Sequence, residues 1–221
     1  MTDDQQDTQH LTEGHLARGH LAKGRLTKPT SAIIACAALH RELRVVLEPF
    51  KGSIAVELLP ANLHNRPEKI PGEVDRLIDR LRADGISRIS VAYADCGTGG
   101  LLDQVLVRQG VERLPGAHCY EFFAGSELFG ALSEAELGTF YLTDYLALHF
   151  DSLVWQGLGL DRHPELRDLY FGHYTRVLWL SQTENSVTEQ KALVAAERLG
   201  LDYDRRHTGL SPFAVAVERL V

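Results

Sequence analysis

One stretch, Ile89–Leu102 (ISVAYADCGTGGLL), constrains the fold more than any other part of the chain. It begins as an apolar run with β-branched residues, passes through Asp95 and Cys96, and turns on three glycines into a segment with helical character. A strand that feeds a helix through a glycine-rich turn places that turn at the carboxyl edge of a parallel sheet, where α/β proteins bind ligands. The sequence therefore predicts a ligand site around Cys96.

Short apolar segments alternate with amphipathic ones along the chain after Ser31. Ala32–Cys36 and Ser53–Leu59 are typical of strands, and Glu68–Asp84 is typical of an amphipathic helix ended by Gly85. Further strands are expected at Thr139–Leu142, Arg176–Leu180 and Leu201–Arg206, and Leu114–Phe123 is expected to be a short strand that runs into a helix near Cys119. This alternation predicts the α/β class: a single domain over residues 31–221, with a mainly parallel sheet flanked by helices on both faces.

Charge and hydropathy exclude several classes of function. The formal net charge of −7, without any basic block, argues against nucleic acid or an anionic membrane surface as a partner. No apolar run approaches the roughly 20 residues that a membrane helix needs, and the amino terminus lacks the apolar core of a secretory signal. We therefore expect a cytoplasmic protein with reduced thiols that acts on a small molecule.

The first 30 residues differ in composition from the rest. They are polar and contain an imperfect repeat, GHLARGHLAKGRL, in which His15, His20 and Arg25 are five residues apart. That spacing fits neither the helical nor the strand period. The composition predicts a disordered or low-complexity tail, and a histidine-rich metal-binding tract is the alternative.

The three cysteines of the chain all fall where a predicted strand gives way to a helix. Cys36 ends the first strand, Cys96 the third and Cys119 the fourth, and parallel strands joined by right-handed crossovers end on one edge of a sheet. His64 follows the second strand, and His118 precedes Cys119. Three thiolates and an imidazole are the donor set of tetrahedral Zn²⁺, and three thiolates can also hold an iron–sulfur cluster with one open iron.

We therefore predict Cys36, Cys96 and Cys119 as metal ligands, and His64 and His118 as residues that complete the set or move protons. Zinc is the first choice and an iron–sulfur cluster the second. The usual zinc signature is absent, because the chain has no C-x-x-C pair. The alternative is that the cysteines are small buried hydrophobes, which fits Cys36 best because it follows Ile33-Ile34-Ala35, in a small-molecule-binding α/β domain that uses the glycine-rich turn.

The glycine-rich turn after Cys96 has its own interpretation. Backbone N–H groups at the start of a helix attract anions, although the turn is neither a Walker motif nor a full dinucleotide fingerprint. The alternative is a turn whose glycines only allow a tight bend. The candidate anion- or substrate-binding residues are Gly97, Thr98, Gly99 and Gly100. Asp95 either caps the following helix or forms a hydrogen bond that orients a metal-binding residue. Asp151 and Tyr174 are weaker candidates for that second role.

Several separate motifs support a resemblance over Ile33–Leu220. They are the Cys36 strand end, LPANLHNRPEKI at Leu59–Ile70, ADCGTGG at Ala94–Gly100, AHCYEFFAG at Ala117–Gly125 and GLGLDRHPEL at Gly157–Leu166. On these motifs the chain resembles a bacterial and archaeal family known as domain of unknown function sixteen thirty-eight. The resemblance implies that the three cysteines and the two histidines of the predicted site are the positions to test.

Members of that family are often encoded beside corrinoid-dependent methyltransferases that act on methylamines and betaines. The resemblance therefore implies an enzyme of one-carbon metabolism that works with a corrinoid protein or methyltransferase, or else a metal or cofactor carrier for one. The chain has no D-x-H-x-x-G motif. Any corrinoid would therefore be held by a partner.

Overall fold

The computed structural model describes residues 29–221 and contains two parallel sheets in that part of the chain. The first has the strand order β2-β1-β3-β4 and the second the order β5-β6-β7. The strands are β1 (Ser31–Cys36), β2 (Ile54–Leu59), β3 (Arg88–Ala92), β4 (Glu112–Arg113), β5 (Thr139–Leu142), β6 (Arg176–Ser181) and β7 (Asp202–His207). Every strand pair is parallel.

Helices connect the strands, as parallel pairing requires. They are α1 (His40–Val46), α2 (Ile70–Ala83), α3 (Leu101–Gln109), α4 (Cys119–Ala124), α5 (Ser126–Ala135), α6 (Asp144–Leu148), α7 (Leu166–Phe171), α8 (Ser186–Leu199) and α9 (Ser211–Glu218). Short 3₁₀ turns lie at Ala37–Leu39, Glu48–Phe50, Ala61–Asn65 and Pro67–Lys69, and one π-helical turn lies at Asp151–Trp155.

Each sheet is built around an inner strand whose middle residues are all apolar. β1 (SAIIAC) and β6 (RVLWLS) are buried at five of their six residues, because neighbouring strands and helices cover them on all sides. β7 (DYDRRH) is polar, and it lies at an open edge of its sheet. The amphipathic helix α2 buries Val74 and Ile78 against the first sheet, and α8 buries Ala192 and Ala196 against the second.

The two sheets are connected by contacts as well as by the chain. Helix α6, which follows β5, contacts the 3₁₀ turn that follows β1, and α4, which follows β4, contacts β6. The carboxyl ends of the first sheet therefore face structure that belongs to the second. This junction positions the site described below.

The α/β class with parallel strands and flanking helices is confirmed. The strands divide between two sheets, whereas the sequence predicted one. The helix expected near Cys119 is present as α4, but the short strand expected to precede it from Leu114 is wrong. The paired residues are Glu112–Arg113, and the chain then leaves the sheet through Pro115 and Gly116, whose φ of 115° favours glycine. Helix α5 was not predicted. Of the predicted tail, residues 1–28 lie outside the described residues.

No helix among residues 29–221 is long and apolar enough to cross a membrane.

Candidate functional site

A half-open pocket of about 320 Å³ lies where the carboxyl ends of the two sheets meet. Residues that follow the strands of the first sheet form one wall, including His64, Cys96 and Tyr120. The opposite wall comes from β5 and the segment after it, including Tyr145 and Leu146. Crevices at the carboxyl edge of parallel strands are the usual ligand sites of α/β proteins, so the pocket lies where the fold predicts a site.

A second, much smaller cavity of about 10 Å³ adjoins the pocket, and the residues that line it include all three cysteines, Cys36, Cys96 and Cys119, together with His64 and Tyr93. We call it the thiol cavity. Cys96, Cys119 and His64 line both spaces. A volume of this size admits about one water-sized particle. The structure thus brings together four predicted site residues that are far apart in sequence.

Cys36 and His64 form one side of the thiol cavity. Cys36 is the last residue of β1, and its Sγ accepts a hydrogen bond from the Ala38 N–H at 3.4 Å, which caps the turn that follows. The His64 Nδ1 lies 3.7 Å from this sulfur and 3.1 Å from the carbonyl oxygen of Ala61. A carbonyl only accepts, so the contact assigns the ring proton to Nδ1 and leaves the lone pair on Nε2.

Burial lowers the pKa of His64, and the nearby His118 lowers it further, so its ring is neutral at pH 7. Burial also raises the pKa of the Cys36 thiol. The pair therefore consists of a neutral imidazole with a free lone pair beside a neutral thiol. Such a histidine can take up a proton or bind a cation.

Cys96 has an unusual backbone conformation. Its φ of 50° lies in the left-handed region, and it is the one residue other than glycine with a positive φ among residues 29–221. A side chain with a Cβ costs about 1 kcal/mol or more in this conformation, and such strained residues cluster at functional sites. The thiol is buried, and burial raises the pKa of Cys96 to about 11. The chain keeps a thiol where glycine would fit the backbone better.

Cys119 completes the thiol cavity from the first residue of α4. The residue as a whole is partly exposed while its sulfur is buried; burial raises its pKa well above the usual value, and the nearby Cys96 and Cys36 raise it further. His118 immediately before it is exposed and lines the larger pocket but not the thiol cavity. Of the two predicted histidines, only His64 therefore lines both spaces.

Sequence reasoning missed Tyr93, the residue after β3. It is 1% exposed and lines the thiol cavity, and its hydroxyl lies beside the Cys36 thiol but has no hydrogen bond of good geometry to any described residue. Burial raises the pKa of Tyr93, as do the nearby cysteines, with Cys36 first among them. An unpartnered buried donor is uncommon and calls for an explanation such as an absent ligand. The apolar run around Tyr93 (SVAYA) carries no signal that distinguishes it from core.

The glycine-rich turn is occupied by the protein's own carboxylate. Asp95 accepts hydrogen bonds from the Thr98 hydroxyl at 2.7 Å and from the N–H groups of Gly99 and Gly100 at 3.1 and 2.8 Å. These bonds, the Thr98 bond foremost, lower the pKa of Asp95 and keep it charged. The donors expected to bind an external anion are thus already satisfied, so the structure favours the capping role of Asp95. Gly97 contributes only to the pocket wall.

The two weaker candidates do not reach the thiol cavity. Asp151 is exposed and forms an ion pair with Arg198 on α8. The ring of Tyr174 packs against those of Phe140 and Phe171, with centroids 5.9 and 5.6 Å apart. Of these two partners only Phe140 lines the pocket, so Tyr174 packs behind the pocket wall and does not contact the thiol cavity.

Among residues 29–221 no group of three or more histidine, cysteine, aspartate or glutamate side chains has the spacing of a preformed metal site. The chemistry of the donor set nevertheless fits a metal. Three thiols and a histidine surround one cavity, the histidine donates its other ring N–H to a carbonyl as ligating histidines do, and a buried hydroxyl lacks an acceptor.

Comparison with protein families gives one match. The family model described as "Protein of unknown function (DUF1638)" matches residues 58–216, which is more than half of the chain. The chain belongs to the DUF1638 family. No curated protein and no solved structure matches it.

The DUF1638 match includes most of the site. His64, Tyr93, Cys96 and Cys119 lie within the matched residues, and Cys36 lies before their start. Both walls of the larger pocket also fall within the matched region, apart from Ala38. The thiol cavity is therefore completed by a residue that the family model does not cover.

Proposed function

We propose that the protein is metal-dependent and that Cys36, Cys96, Cys119 and His64 hold the metal. The observation that carries the proposal is the convergence of these four side chains on one cavity of about 10 Å³. This volume is close to that of one water molecule. It therefore suits a single Zn²⁺ better than an iron–sulfur cluster, which remains the second choice.

The electrostatics of the thiol cavity support the same proposal. Burial raises the pKa of each of the three thiols, and Cys119 is affected in addition by Cys96 and Cys36. Three buried thiolates repel one another unless a cation lies between them, and a bound divalent cation deprotonates its thiol ligands. A ligated thiolate would also give the Tyr93 hydroxyl the acceptor it lacks.

The surrounding residues suggest how such a centre would work. Bound zinc supplies Lewis acidity and lowers the pKa of a thiol or water beside it. The Ala61 carbonyl holds the His64 ring with its Nε2 unprotonated. His118 lies exposed on the pocket wall, where it can exchange protons between the pocket and solvent.

The resemblance extends this proposal to a reaction. We propose methyl transfer in methylamine or betaine metabolism, with a corrinoid protein or methyltransferase as the partner that holds the corrinoid. The support is the family resemblance together with a thiol cluster next to a pocket of about 320 Å³. A carrier that hands a metal or cofactor to the methyltransferase would retain the metal without turnover, so an assay for methyl transfer to thiols separates the two roles.

The first experiment is elemental analysis by mass spectrometry, with a visible spectrum, on the full chain purified without oxygen and without a His tag. We expect about one zinc per chain and no colour. The variant with serine at all three cysteines should lose the metal, and His64→Ala should weaken its retention. His163→Ala is the matched control, because His163 is exposed and lies outside both cavities.

The histidines of the amino-terminal residues are present in every variant, so a difference between variants reports the thiol cavity alone. Equal metal content in wild type and the triple serine variant would refute the proposal. A brown chromophore with iron would move it to a cluster.

A further inference from the structure

We infer that the chain forms a homodimer in which the outer edge of β2 pairs with β2 of a second copy, antiparallel and with Val56 on the two-fold axis. The two four-stranded sheets would then join into one sheet of eight strands. No residue of β2 lines the pocket or the thiol cavity, so the inference does not rest on the proposed function.

The four edge strands of the two described sheets differ in how they are protected from pairing. β4 has only two residues, and β5 is covered, because three of its four residues are buried. β7 (DYDRRH) carries charged side chains along its length. Short length, cover and charge are the devices by which proteins keep an edge strand from pairing with another chain. β2 (IAVELL) has six residues, one of them buried and one charged, so none of these devices protects it.

The face of β2 that points away from α2 is apolar and exposed. Glu57 forms an ion pair with Arg80 on α2, so the alternation of the strand directs Val56 and Leu58 to the opposite face. These two side chains are 37% and 36% exposed. Right-handed crossovers place α1 on that same face, because β2 and β3 lie on opposite sides of β1. Val45 on α1 is 60% exposed, so the helix adds apolar surface beside the open edge.

The residues of β2 are self-complementary in one antiparallel register. Residues directly opposite each other in such a pair point to the same face. With Val56 on the axis, Val56 faces its own copy and Ile54 faces Leu58 of the second copy, while Glu57 on the other face meets the small Ala55. An axis at Glu57 would instead oppose two carboxylates, which is destabilising. A two-fold interface requires a surface that fits itself, and β2 meets this requirement.

The charges of α1 also favour a second copy as the partner. Arg41 and Val45 are exposed on successive turns, and Glu48 follows on the same stripe just beyond the helix. α1 runs back along β2, so a two-fold axis through Val56 brings Arg41 toward Glu48 of the second copy. The exposed pair that Glu48 forms with Lys51 is weak enough to allow this exchange. Opposite charges would then lie on both sides of an apolar centre, as in specific interfaces.

The test is the molar mass of the full chain in solution, measured by sedimentation equilibrium over a range of concentrations. Wild type should have twice the chain mass of 24.6 kDa. Val56→Lys places two like charges on the axis and should raise the dimer dissociation constant at least roughly ten-fold. Val107→Lys is the matched control, because Val107 is an exposed valine on α3, away from β2, and should leave the dimer unchanged.

A charge pair on the axis gives a sharper reading. Val56→Glu alone should weaken the dimer as Val56→Lys does, whereas a mixture of the two variants should form a heterodimer that native mass spectrometry identifies by its mass. A contact of Val56 with its own copy predicts this recovery. Circular dichroism checks folding, and Leu58→Lys replaces Val56→Lys if that variant does not fold.

Three results would each overturn the inference. The first is a monomeric wild type, which would mean that no second copy covers β2. The second is a dimer that the folded Val56→Lys variant leaves as tight as Val107→Lys does, because another surface would then form it. The third is a mixture of the folded lysine and glutamate variants that stays monomeric, because residue 56 would then not meet its own copy.

Discussion

Two polar clusters lie at the carboxyl edges of the two sheets, and they differ in how completely their hydrogen bonds are satisfied. In the second sheet, the buried carboxylate of Asp144 accepts from the Trp179 indole at 3.0 Å, from the Gln182 N–H at 3.1 Å, and from the N–H and hydroxyl of Thr183 at 2.9 and 2.6 Å. At the edge of the first sheet, the thiol cavity is lined by the three cysteines, whose pKa values are raised, and by Tyr93, whose buried hydroxyl has no hydrogen bond of good geometry.

This difference separates structure from function. A carboxylate whose acceptor sites are filled by fixed donors holds strands and loops in place and has no capacity left for a ligand. A cluster with unmet hydrogen-bonding capacity next to a cavity is less stable as it stands and can accept a ligand. We therefore expect mutations in the Asp144 cluster to affect mainly folding, and mutations in the thiol cavity to affect mainly binding.

The largest effect should come from Asp144→Ala. It removes the acceptor of four hydrogen bonds and leaves buried donors unpaired, so unfolding in urea should show a loss of about 3 kcal/mol or more. Asp151→Ala is the matched control: its exposed ion pair with Arg198 should contribute at most about 1 kcal/mol. A loss below 1 kcal/mol for Asp144→Ala would remove the contrast between the clusters.

The next effect concerns the strained backbone of Cys96. Both Cys96→Gly and Cys96→Ala remove the thiol and should remove bound metal, but only glycine relieves the positive φ. The metal-free glycine variant should therefore be more stable than the alanine variant by about 1 kcal/mol in urea unfolding. If alanine proved the more stable, the left-handed conformation would not be a source of strain.

A smaller effect is expected from the buried hydroxyl of Tyr93. Tyr93→Phe removes an unpartnered donor, so the metal-free protein should lose no stability and could gain about 1 kcal/mol. Tyr203→Phe is the matched control, because its hydroxyl is also buried without a partner but lies outside both cavities. Only Tyr93→Phe should speed metal loss to a chelator. Equal rates in the two variants would show that Tyr93 has no part in the site.

The convergence of the cysteines could be predicted because it follows from topology. Parallel strands with helical crossovers end on one edge, so any residue at a strand end reaches that edge whatever the strand order. The same logic placed His64 there. Topology alone could not predict that the strands divide between two sheets, because the residues of a strand do not indicate which distant strand it pairs with. The pocket between the sheets, with Tyr145 and Leu146 on one wall, could therefore not be predicted from the sequence.

Three assignments at single residues depended on local structure that the sequence does not specify. Asp95 was assigned two roles, and the choice depended on whether its carboxylate turned toward Thr98 and Gly100 or toward a ligand, which is a matter of side-chain rotamer. Asp151 was a candidate as one of the charged residues in the segment after β5, but α6 intervenes and Asp151 lies exposed beside Arg198. Tyr93 was missed because a buried tyrosine in an apolar run resembles core.

The smallest predicted effect tests whether the charge of Asp144, in the second sheet's cluster, acts on Glu42 beside the first sheet. Glu42 on α1 is 4% exposed, one of its carboxylate oxygens, Oε2, has no hydrogen-bond partner, and its pKa is raised by burial first and also by the charge of Asp144. Because the folded pKa lies above the unfolded one, the unfolded chain ionises first as pH rises. The stability that Glu42 contributes when protonated is therefore present below about pH 4.5 and lost as pH rises through the folded pKa.

Glu42→Gln should consequently stabilise the protein at pH 7, by about 1 kcal/mol or less, and have almost no effect at pH 4. Urea unfolding at the two pH values measures both. Glu48→Gln serves as the control, because Glu48 is exposed and paired with Lys51, and it should show no such gain at pH 7. A gain of equal size at both pH values would mean that the ionisation of Glu42 is not its cause. A gain confined to pH 7 that shrinks in an Asp144→Asn background would show that the charge of the satisfied cluster reaches into the first sheet.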